Sequence, residues 1–312
     1  MTRRGAEISG LLPLLGLAAV VTACGGTHVT DDAASPPPTA VPTPAPTVVA
    51  AATPLPSRAI SLVWADEFDG PAGTPPDASR WRYALGDGTA EGIPGWGNRE
   101  LETYTDDPAN AAMDGESNLV ITALEADGSL DCHYGPCRFT SARLLTEDRF
   151  SVAYGRIEAR LQTAPGAGLW SAFWMLGTDI GRVGWPDSGE IDVMEHVGRR
   201  PTTLLGTIHG PGYSGDRGFG GTIDLDAPLS DGFRVYAIDW EPDRIVWSID
   251  GLPYHEATPD RVAPNRWVFD HEFYLLANLA VGGGLGGPVG EATVFPARYR
   301  IDYVRVYRFD GP

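Results

Sequence analysis

Residues 58–312 alternate apolar and polar side chains with a period of two, in short segments separated by turn residues. In the clearest segment Ile157, Ala159 and Leu161 alternate with charged or polar neighbours. This period places one face of an extended strand toward a core, whereas an amphipathic helix needs a period near 3.6. The pattern therefore predicts a single all-β domain without a long amphipathic helix.

Turn residues separate further strand candidates at short intervals. These candidates are residues 60–64, 119–123, 139–144, 170–176, 190–196, 204–209, 273–279 and 301–307. Residues 234–240 and 244–250 flank Glu241-Pro242-Asp243, which is the layout of an antiparallel hairpin. Many short strands joined by tight turns predict a β-sandwich.

Residues 1–23 have the composition of an export signal: arginines near the start, an apolar stretch, and small residues before Cys24. The apolar stretch is too short to span a membrane. Its end, Val21-Thr22-Ala23-Cys24, resembles a bacterial lipobox, so we expect Cys24 to carry acyl chains that anchor the protein. The alternative is an ordinary signal that is cleaved to release a secreted protein.

Residues 24–57 are rich in proline, threonine and alanine, which predicts an extended linker without a core. The formal net charge of the chain is −18. Such a charge repels polyanions, so it argues against nucleic acid as a partner and against sulfated polysaccharides as substrates. A neutral partner fits this charge best.

Cys132 and Cys137 flank a Gly-Pro turn that can bring their thiols together. In an oxidising compartment this spacing predicts a small loop disulfide. Zinc is the alternative, but a structural zinc site needs four ligands and the sequence has no second cysteine pair.

Residues 190–195 contain three carboxylates in an otherwise apolar strand: Glu190, Asp192 and Glu195. In strict alternation the last of them would point into the core. A bulge at Val193 or Met194 returns it to the face of the other two. Like charges on one face destabilise a strand and raise the proton affinity of at least one of them, and sites that break local rules in this way are usually functional.

Glycoside hydrolysis needs such a set, with one carboxylate as nucleophile and a second carboxyl that stays protonated near neutral pH. Glu190 and Glu195 can fill these two roles in either order, and Asp192 between them can hold the nucleophile by a hydrogen bond. The alternatives are a solvated acidic edge strand or a calcium site. The apolar neighbours of the three acids argue against a solvated strand.

The segment Glu190-Ile191-Asp192-Val193-Met194-Glu195 resembles the active-site strand of glycoside hydrolase family 16, which has the pattern E-[ILV]-D-x-x-E. Residues 95–105, 168–177 and 302–307 also resemble signatures of that family. The resemblance implies a concanavalin-like β-jelly-roll sandwich of two curved antiparallel sheets over residues 58–312. It also implies that Glu190 is the nucleophile, Glu195 the acid/base and Asp192 an assisting residue.

A glucan cleft should combine aromatic rings with fixed amides, because sugar rings stack on aromatics and sugar hydroxyls need hydrogen-bond partners. The candidates are Trp96, Asn98, Trp170, Trp174 and Trp185. Each tryptophan is alternatively an ordinary core residue, and we expect one of the pair on residues 170–176 to be mainly core. The resemblance adds His209 and Asn278 as cleft residues, although either can be purely structural.

The family often holds one calcium ion far from catalysis, and its oxygen ligands correspond here to Glu67, Gly115 and Asp302. No cofactor is expected for catalysis. The extra residue in the acidic strand matches the laminarinase-like branch of the family, so the resemblance implies hydrolysis of β-1,3-glucan. A monomer is the default expectation for a tethered enzyme that hydrolyses a polymer. The alternatives are a mixed-linkage β-1,3-1,4-glucanase, a transglycosylase, a galactan hydrolase and a non-catalytic β-glucan-binding protein.

Overall fold

The structure is a computed structural model that describes residues 58–311. The predicted export signal at residues 1–23, the lipidation at Cys24 and the linker at 24–57 lie outside the described residues, as does Pro312. Within the described part of the chain, no helix is long and apolar enough to cross a membrane. Every α-helix there has four residues, as the absence of a 3.6-residue period predicts.

Nineteen strands account for most of the regular structure. They are β1 (Ile60–Asp66), β2 (Arg82–Ala84), β3 (Glu102–Tyr104), β4 (Ala111–Met113), β5 (Leu119–Glu125), β6 (Asp131–Cys132), β7 (Gly135–Pro136), β8 (Phe139–Ser141), β9 (Arg143–Leu145), β10 (Gly155–Gln162), β11 (Leu169–Gly177), β12 (Glu190–Val197), β13 (Thr203–His209), β14 (Phe219–Asp224), β15 (Arg234–Glu241), β16 (Arg244–Ile249), β17 (Leu252–Ala257), β18 (Phe273–Val281) and β19 (Ala297–Phe309). The helices are α1 (Ile180–Val183), α2 (Pro259–Val262) and α3 (Gly283–Gly286), with 3₁₀ turns at Pro94–Gly97, Gly215–Arg217 and Leu229–Asp231.

The strands form two large stacked sheets, as the predicted jelly-roll sandwich requires. The ten-stranded sheet has the order β17-β16-β15-β10-β19-β5-β8-β3, with β1 joined to β19 and β4 joined to β5. The seven-stranded sheet has the order β14-β13-β12-β11-β18-β9-β2. Neighbouring strands are antiparallel except for β3 and β8, which run parallel. The predicted hairpin is β15–β16.

The core lies between the inner faces of these sheets. Trp240 and Trp247 enter it from the ten-stranded sheet, and Phe173 and Met175 from the seven-stranded sheet, all fully buried. A second, smaller apolar cluster around Leu176 and its neighbours Leu145, Tyr274 and Leu276 is separate from this core. Its residues alternate along β9, β11 and β18 with residues of the main core, which places the cluster on the opposite face of the seven-stranded sheet.

The predicted strand at residues 139–144 is wrong in one respect, because it is two strands that belong to different sheets. β8 pairs with β3 and β5 in the larger sheet, and β9 pairs with β18 and β2 in the smaller one. The chain passes between the sheets at the buried Ala142. A pattern of apolar and polar residues reports which face of a strand is buried, so it does not reveal which sheet the strand belongs to.

Candidate active site

The acidic strand β12 lies between β11 and β13 near the middle of the seven-stranded sheet. Phe173 of β11 pairs with Met194, but the next residue, Trp174, pairs with Asp192, so Val193 is the extra residue of a bulge. The bulge predicted from the sequence is confirmed. It turns the carboxylates on both sides of it toward the same face of the sheet.

Glu190 receives two contacts on this face. The indole N–H of Trp185 donates a hydrogen bond to its Oε2 at 2.8 Å, and His209 Nε2 lies 3.8 Å from its Oε1. Burial, followed by the charge of Asp192, raises the pKa of Glu190 to about 7. The tryptophan and the histidine act in the opposite direction, because both stabilise the ionised carboxylate.

Asp192 is 3% exposed, and its Oδ2 lies 3.1 Å from His209 Nε2. Burial opposes a charge on His209, but the carboxylate of Asp192, with those of Glu190 and Glu195, outweighs it and raises the pKa of His209 to about 9. The imidazole is therefore a cation at neutral pH. Among the described residues no hydrogen bond joins Asp192 directly to Glu190, so the two are linked through His209 and not by the direct bond that the sequence suggested.

Glu195 is 8% exposed, and its Oε1 accepts a hydrogen bond from the indole N–H of Trp170 at 3.0 Å. Burial, followed by the charge of Asp192, raises its pKa well above the usual range. Glu195 therefore keeps its proton to a higher pH than an ordinary glutamate does. The two glutamates differ in their neighbours, since His209 lies within contact distance of Glu190.

Trp174 faces the same side of the sheet and belongs to a chain of hydrogen bonds. Its indole N–H donates to Asn278 Oδ1 at 2.7 Å, and Asn278 Nδ2 donates to the hydroxyl of Tyr104 at 3.0 Å. The Tyr104 hydroxyl donates in turn to Glu100 Oε2 at 3.1 Å. This chain fixes the side chains of Trp174 and Asn278, two of the predicted substrate-binding residues.

The loop at residues 94–99 carries Trp96 and Asn98. Trp96 has a left-handed backbone with φ 51°, and such strain persists only where the surroundings enforce it. Its ring is buried and its N–H donates to Gly86 O at 3.2 Å, so Trp96 mainly packs. Asn98 is exposed, and its Nδ2 donates to Glu100 Oε1 at 3.0 Å.

Six of the seven predicted substrate-binding residues, all except Trp96, contact one of the three acids of β12 or belong to the chain of hydrogen bonds that ends at Glu100. Trp185 is the most exposed of the aromatic candidates, at 47%. Trp170 and Trp174 are both half-buried, so neither is mainly core as we expected for one of them, although Trp174 also packs against the small cluster around Leu176. The sugar-binding roles stay predictions.

The predicted calcium ligands do not fit that ion as they are placed. Both side-chain oxygens of Glu67 accept hydrogen bonds from Arg305 at 2.8 Å, and Asp302 is paired with Arg160. Both carboxylates are therefore already neutralised, and Gly115 can offer only its backbone oxygen. Calcium binding stays a prediction that these contacts do not support.

One other group of side chains has the spacing of metal ligands. Atoms of Glu190, Asp192 and His209 all lie within 4.8 Å of one another. A cation there would have to displace the proton of His209, which the adjacent carboxylates hold.

Cys132 and Cys137 form a disulfide, and the two strands that flank its turn are β6 and β7.

Three residues of the site were missed by the sequence reasoning: Glu100, Tyr104 and Arg143. The guanidinium of Arg143 lies 4.6 Å from the Trp96 ring centroid and 4.7 Å from that of Trp174. No local pattern marks an arginine that lies between two rings from distant segments. Glu100 and Glu102, by contrast, are two closely spaced acids, and closely spaced acids are the signal that drew attention to β12.

A comparison with protein families matches residues 100–304 to the model described as glycosyl hydrolases family 16. The chain belongs to glycosyl hydrolase family 16. The match includes all of β12 and its neighbours β11 and β13, so it covers the acidic face described above.

Proteins from three organisms are similar to this chain over most of their length. A β-glucanase from Rhodothermus marinus is 40% identical over 258 residues, which cover 80% of this chain and 85% of that protein. The laminarinase catalytic domain from Thermotoga maritima MSB8 has 44% identity and a TM-score of 0.76, over 81% of this chain and 99% of that one. The endo-β-1,3-glucanase from Pyrococcus furiosus has 42% identity and a TM-score of 0.78, over 85% and 100%.

Proposed function

We propose that this protein is a retaining endo-β-1,3-glucanase that hydrolyses β-glucans such as laminarin. The observation that carries the proposal is the unequal environment of two glutamates on one strand face. Glu190 lies beside a cationic histidine and keeps a pKa of about 7, whereas burial and Asp192 hold the pKa of Glu195 well above its usual range. One carboxyl is suited to attack and the other to give a proton.

In the first step Glu190 attacks the anomeric carbon as a carboxylate. A bond forms between its oxygen and that carbon while the glycosidic bond breaks, and Glu195 transfers its proton to the departing oxygen. The N–H of Trp185 and the charge of His209 favour the ionised form of Glu190 that this step needs. The hydrogen bond from Trp185 also fixes the direction from which the oxygen attacks.

In the second step Glu195 accepts a proton from water, and the oxygen of that water displaces Glu190 from the anomeric carbon. Two displacements restore the original β configuration. Asp192 assists this chemistry in two ways. Its charge holds the proton on Glu195 before the first step, and its contact with His209 keeps the imidazolium beside Glu190.

A neutral β-glucan fits the groups around these acids. Indole rings and amides match sugar faces and hydroxyls, and the strongly acidic chain disfavours a charged polysaccharide. The three relatives described above are a β-glucanase, a laminarinase and an endo-β-1,3-glucanase. The last two names support the β-1,3 linkage over a mixed-linkage or galactan substrate, and the intact acids argue against a role in binding alone.

Release of reducing sugar by the purified protein tests this proposal on laminarin, curdlan, lichenan and agarose. Glu190→Gln, purified in parallel, excludes contaminating activity. We expect release from laminarin and curdlan that is lost in the variant. Release from lichenan or agarose alone would assign another linkage, and binding of laminarin without release would indicate a glucan-binding protein.

We also propose that the protein is exported and anchored to the membrane through lipid on Cys24, and that it acts as a monomer. The composition of residues 1–24 supports export, and a Cys132–Cys137 disulfide suits an oxidising compartment. Metabolic labelling with a fatty acid tests the anchor: the label should enter the protein and be absent from Cys24→Ala. Equal labelling of both would exclude lipidation at Cys24.

A further inference from the structure

Two more carboxylates, Glu100 and Glu102, are buried beside the candidate active site and take no part in the proposed chemistry. Glu100 is 4% exposed and Glu102 is fully buried. Removing a charged carboxylate from water is costly unless other groups compensate for it. Two of them side by side therefore need an explanation from their contacts.

Glu102 has one satisfied oxygen and one that lacks a donor. Its Oε2 accepts a hydrogen bond from the backbone N–H of Val281 at 2.7 Å. Its Oε1 is buried and has no donor among the described residues, and the carboxyl of Glu100 is close enough to raise the pKa of Glu102. A proton held between the two carboxyls would provide the missing donor, because like charges in contact cannot both persist in a buried place.

Glu100 connects this pair to the sugar-binding candidates. Its Oε1 accepts from Asn98, and its Oε2 accepts from Tyr104. The hydroxyl of Tyr104 in turn accepts from Asn278, which holds the indole N–H of Trp174. A change in the charge of the pair would therefore reach two groups that we expect to contact glucan.

The pair also holds the end of strand β18. Val281 ends this strand, and its carbonyl accepts a hydrogen bond from the backbone N–H of Leu101 at 2.8 Å. The backbone of Glu100 pairs with Gly282 just beyond. Val281 is thus held to residues 101–102 by two hydrogen bonds, one through its N–H and one through its carbonyl. Loss of the bond to Glu102 would weaken this attachment of the strand end.

Other titratable or charged groups around the pair come from three elements. Tyr104 lies on strand β3 itself, Tyr134 belongs to the disulfide loop, and Arg143 lies on β9 between the rings of Trp96 and Trp174. Burial raises the pKa of both tyrosines, so they stay neutral where glutamates titrate. Burial, then the charge of Glu100, raises the pKa of Glu102 well above its usual range, so Arg143 does not suffice to keep both acids ionised.

We propose that Glu100 and Glu102 share one proton, and that this proton positions Asn98 and Trp174 for glucan binding. The inference rests on the proposed function for the nature of the ligand. Neither glutamate reaches the reacting atoms, so both are positioning residues. When the shared proton is lost, repulsion separates the two carboxylates and weakens binding of substrate, while the chemical step changes little.

Glu102→Gln is the informative variant, because a glutamine imitates the protonated acid. Its amide N–H₂ can donate to Glu100, and its oxygen can still accept from Val281. The binding of laminarihexaose is measured between about pH 5 and about pH 10 in a Glu190→Gln background, which prevents turnover. With Glu102 present, we expect affinity to fall about fivefold as the pH rises. In the Glu102→Gln variant, we expect affinity to change by less than about twofold beyond the pH dependence that both proteins share. Parallel loss of affinity in both proteins would overturn the positioning role.

Thermal unfolding tests the shared proton without a ligand. The folded protein keeps a proton that an unfolded glutamate loses above about pH 4.5, so Glu102 costs stability increasingly as the pH rises. The Tm of Glu102→Gln should therefore exceed that of the unchanged protein by a margin that grows with pH. A margin independent of pH would overturn proton sharing. Absence of laminarihexaose binding at every pH would instead overturn the proposed function and the positioning role with it, while the unfolding result still decides the shared proton.

Discussion

The indole N–H of Trp247 donates a hydrogen bond across the sandwich to the backbone carbonyl of Asp192, at 2.8 Å. Trp247 lies on β16 of the ten-stranded sheet and is fully buried. Its partner lies at the bulge of β12, where the register of the ladder shifts. The opposite sheet thus fixes the irregular backbone that turns three carboxylates toward one face.

Trp247→Phe should lower both stability and turnover. The change leaves a buried carbonyl without a donor, at a cost of about 1 to 3 kcal/mol in the free energy of unfolding. It also loosens the bulge, so we expect kcat to fall about tenfold while KM changes less. Denaturant unfolding and kinetics on laminarin measure the two effects.

Trp240→Phe is the matched control for this variant. Trp240 is also fully buried and donates to the backbone carbonyl of Phe269 at 3.2 Å, away from the acidic strand. We expect a similar loss of stability without the loss of kcat. An equal fall in kcat in both variants would mean that the bulge responds to general loosening of the core and not to its bond with Trp247.

His209→Gln should move the acidic limb of the kcat/KM profile to higher pH. The cationic imidazole near Glu190 stabilises its carboxylate, so without it the pKa of the nucleophile rises above about 7. Rates on laminarin between pH 4 and pH 9 provide the measurement. His271→Gln, whose histidine pairs with Asp179, is the control and should leave the limb unchanged.

His209 should also make stability depend on pH in a defined direction. Its folded pKa of about 9 lies above the unfolded value of about 6.5, so its stabilisation is fully present below about pH 6.5 and is lost as the pH rises toward 9. The unfolding free energy of the unchanged protein minus that of His209→Gln should therefore fall over this range. A difference that grows with pH would contradict the ion pair with Asp192.

Asp192→Asn should move the alkaline side of the pH profile to lower pH. The charge of Asp192 is, after burial, the main cause of the raised pKa of Glu195, so its removal lets Glu195 lose its proton at lower pH. We expect slower turnover and an alkaline limb displaced to lower pH, both measured on laminarin. A displacement to higher pH would rule out this electrostatic role.

Alternation, turn residues and closely spaced acids were enough to predict the sandwich, the hairpin β15–β16 and the bulge in β12. These features are local, since they depend on which face a residue occupies within its own strand. The change of sheet at Ala142 and the position of Arg143 between two rings could not be predicted, because both depend on contacts between distant segments. The link from Asp192 to His209 was missed for the same reason: it joins two strands whose register only the fold defines.

The roles of Glu190 and Glu195 can be tested most directly by azide rescue. Glu190→Ala and Glu195→Ala are each supplied with azide and an aryl β-laminaribioside whose leaving group needs no protonation. In the first variant azide should take the place of the missing nucleophile and give the α-glycosyl azide. In the second it should attack the covalent intermediate formed by Glu190 and give the β-glycosyl azide. The opposite assignment of anomers, or undiminished hydrolysis by either variant without azide, would contradict the proposed roles of these two glutamates.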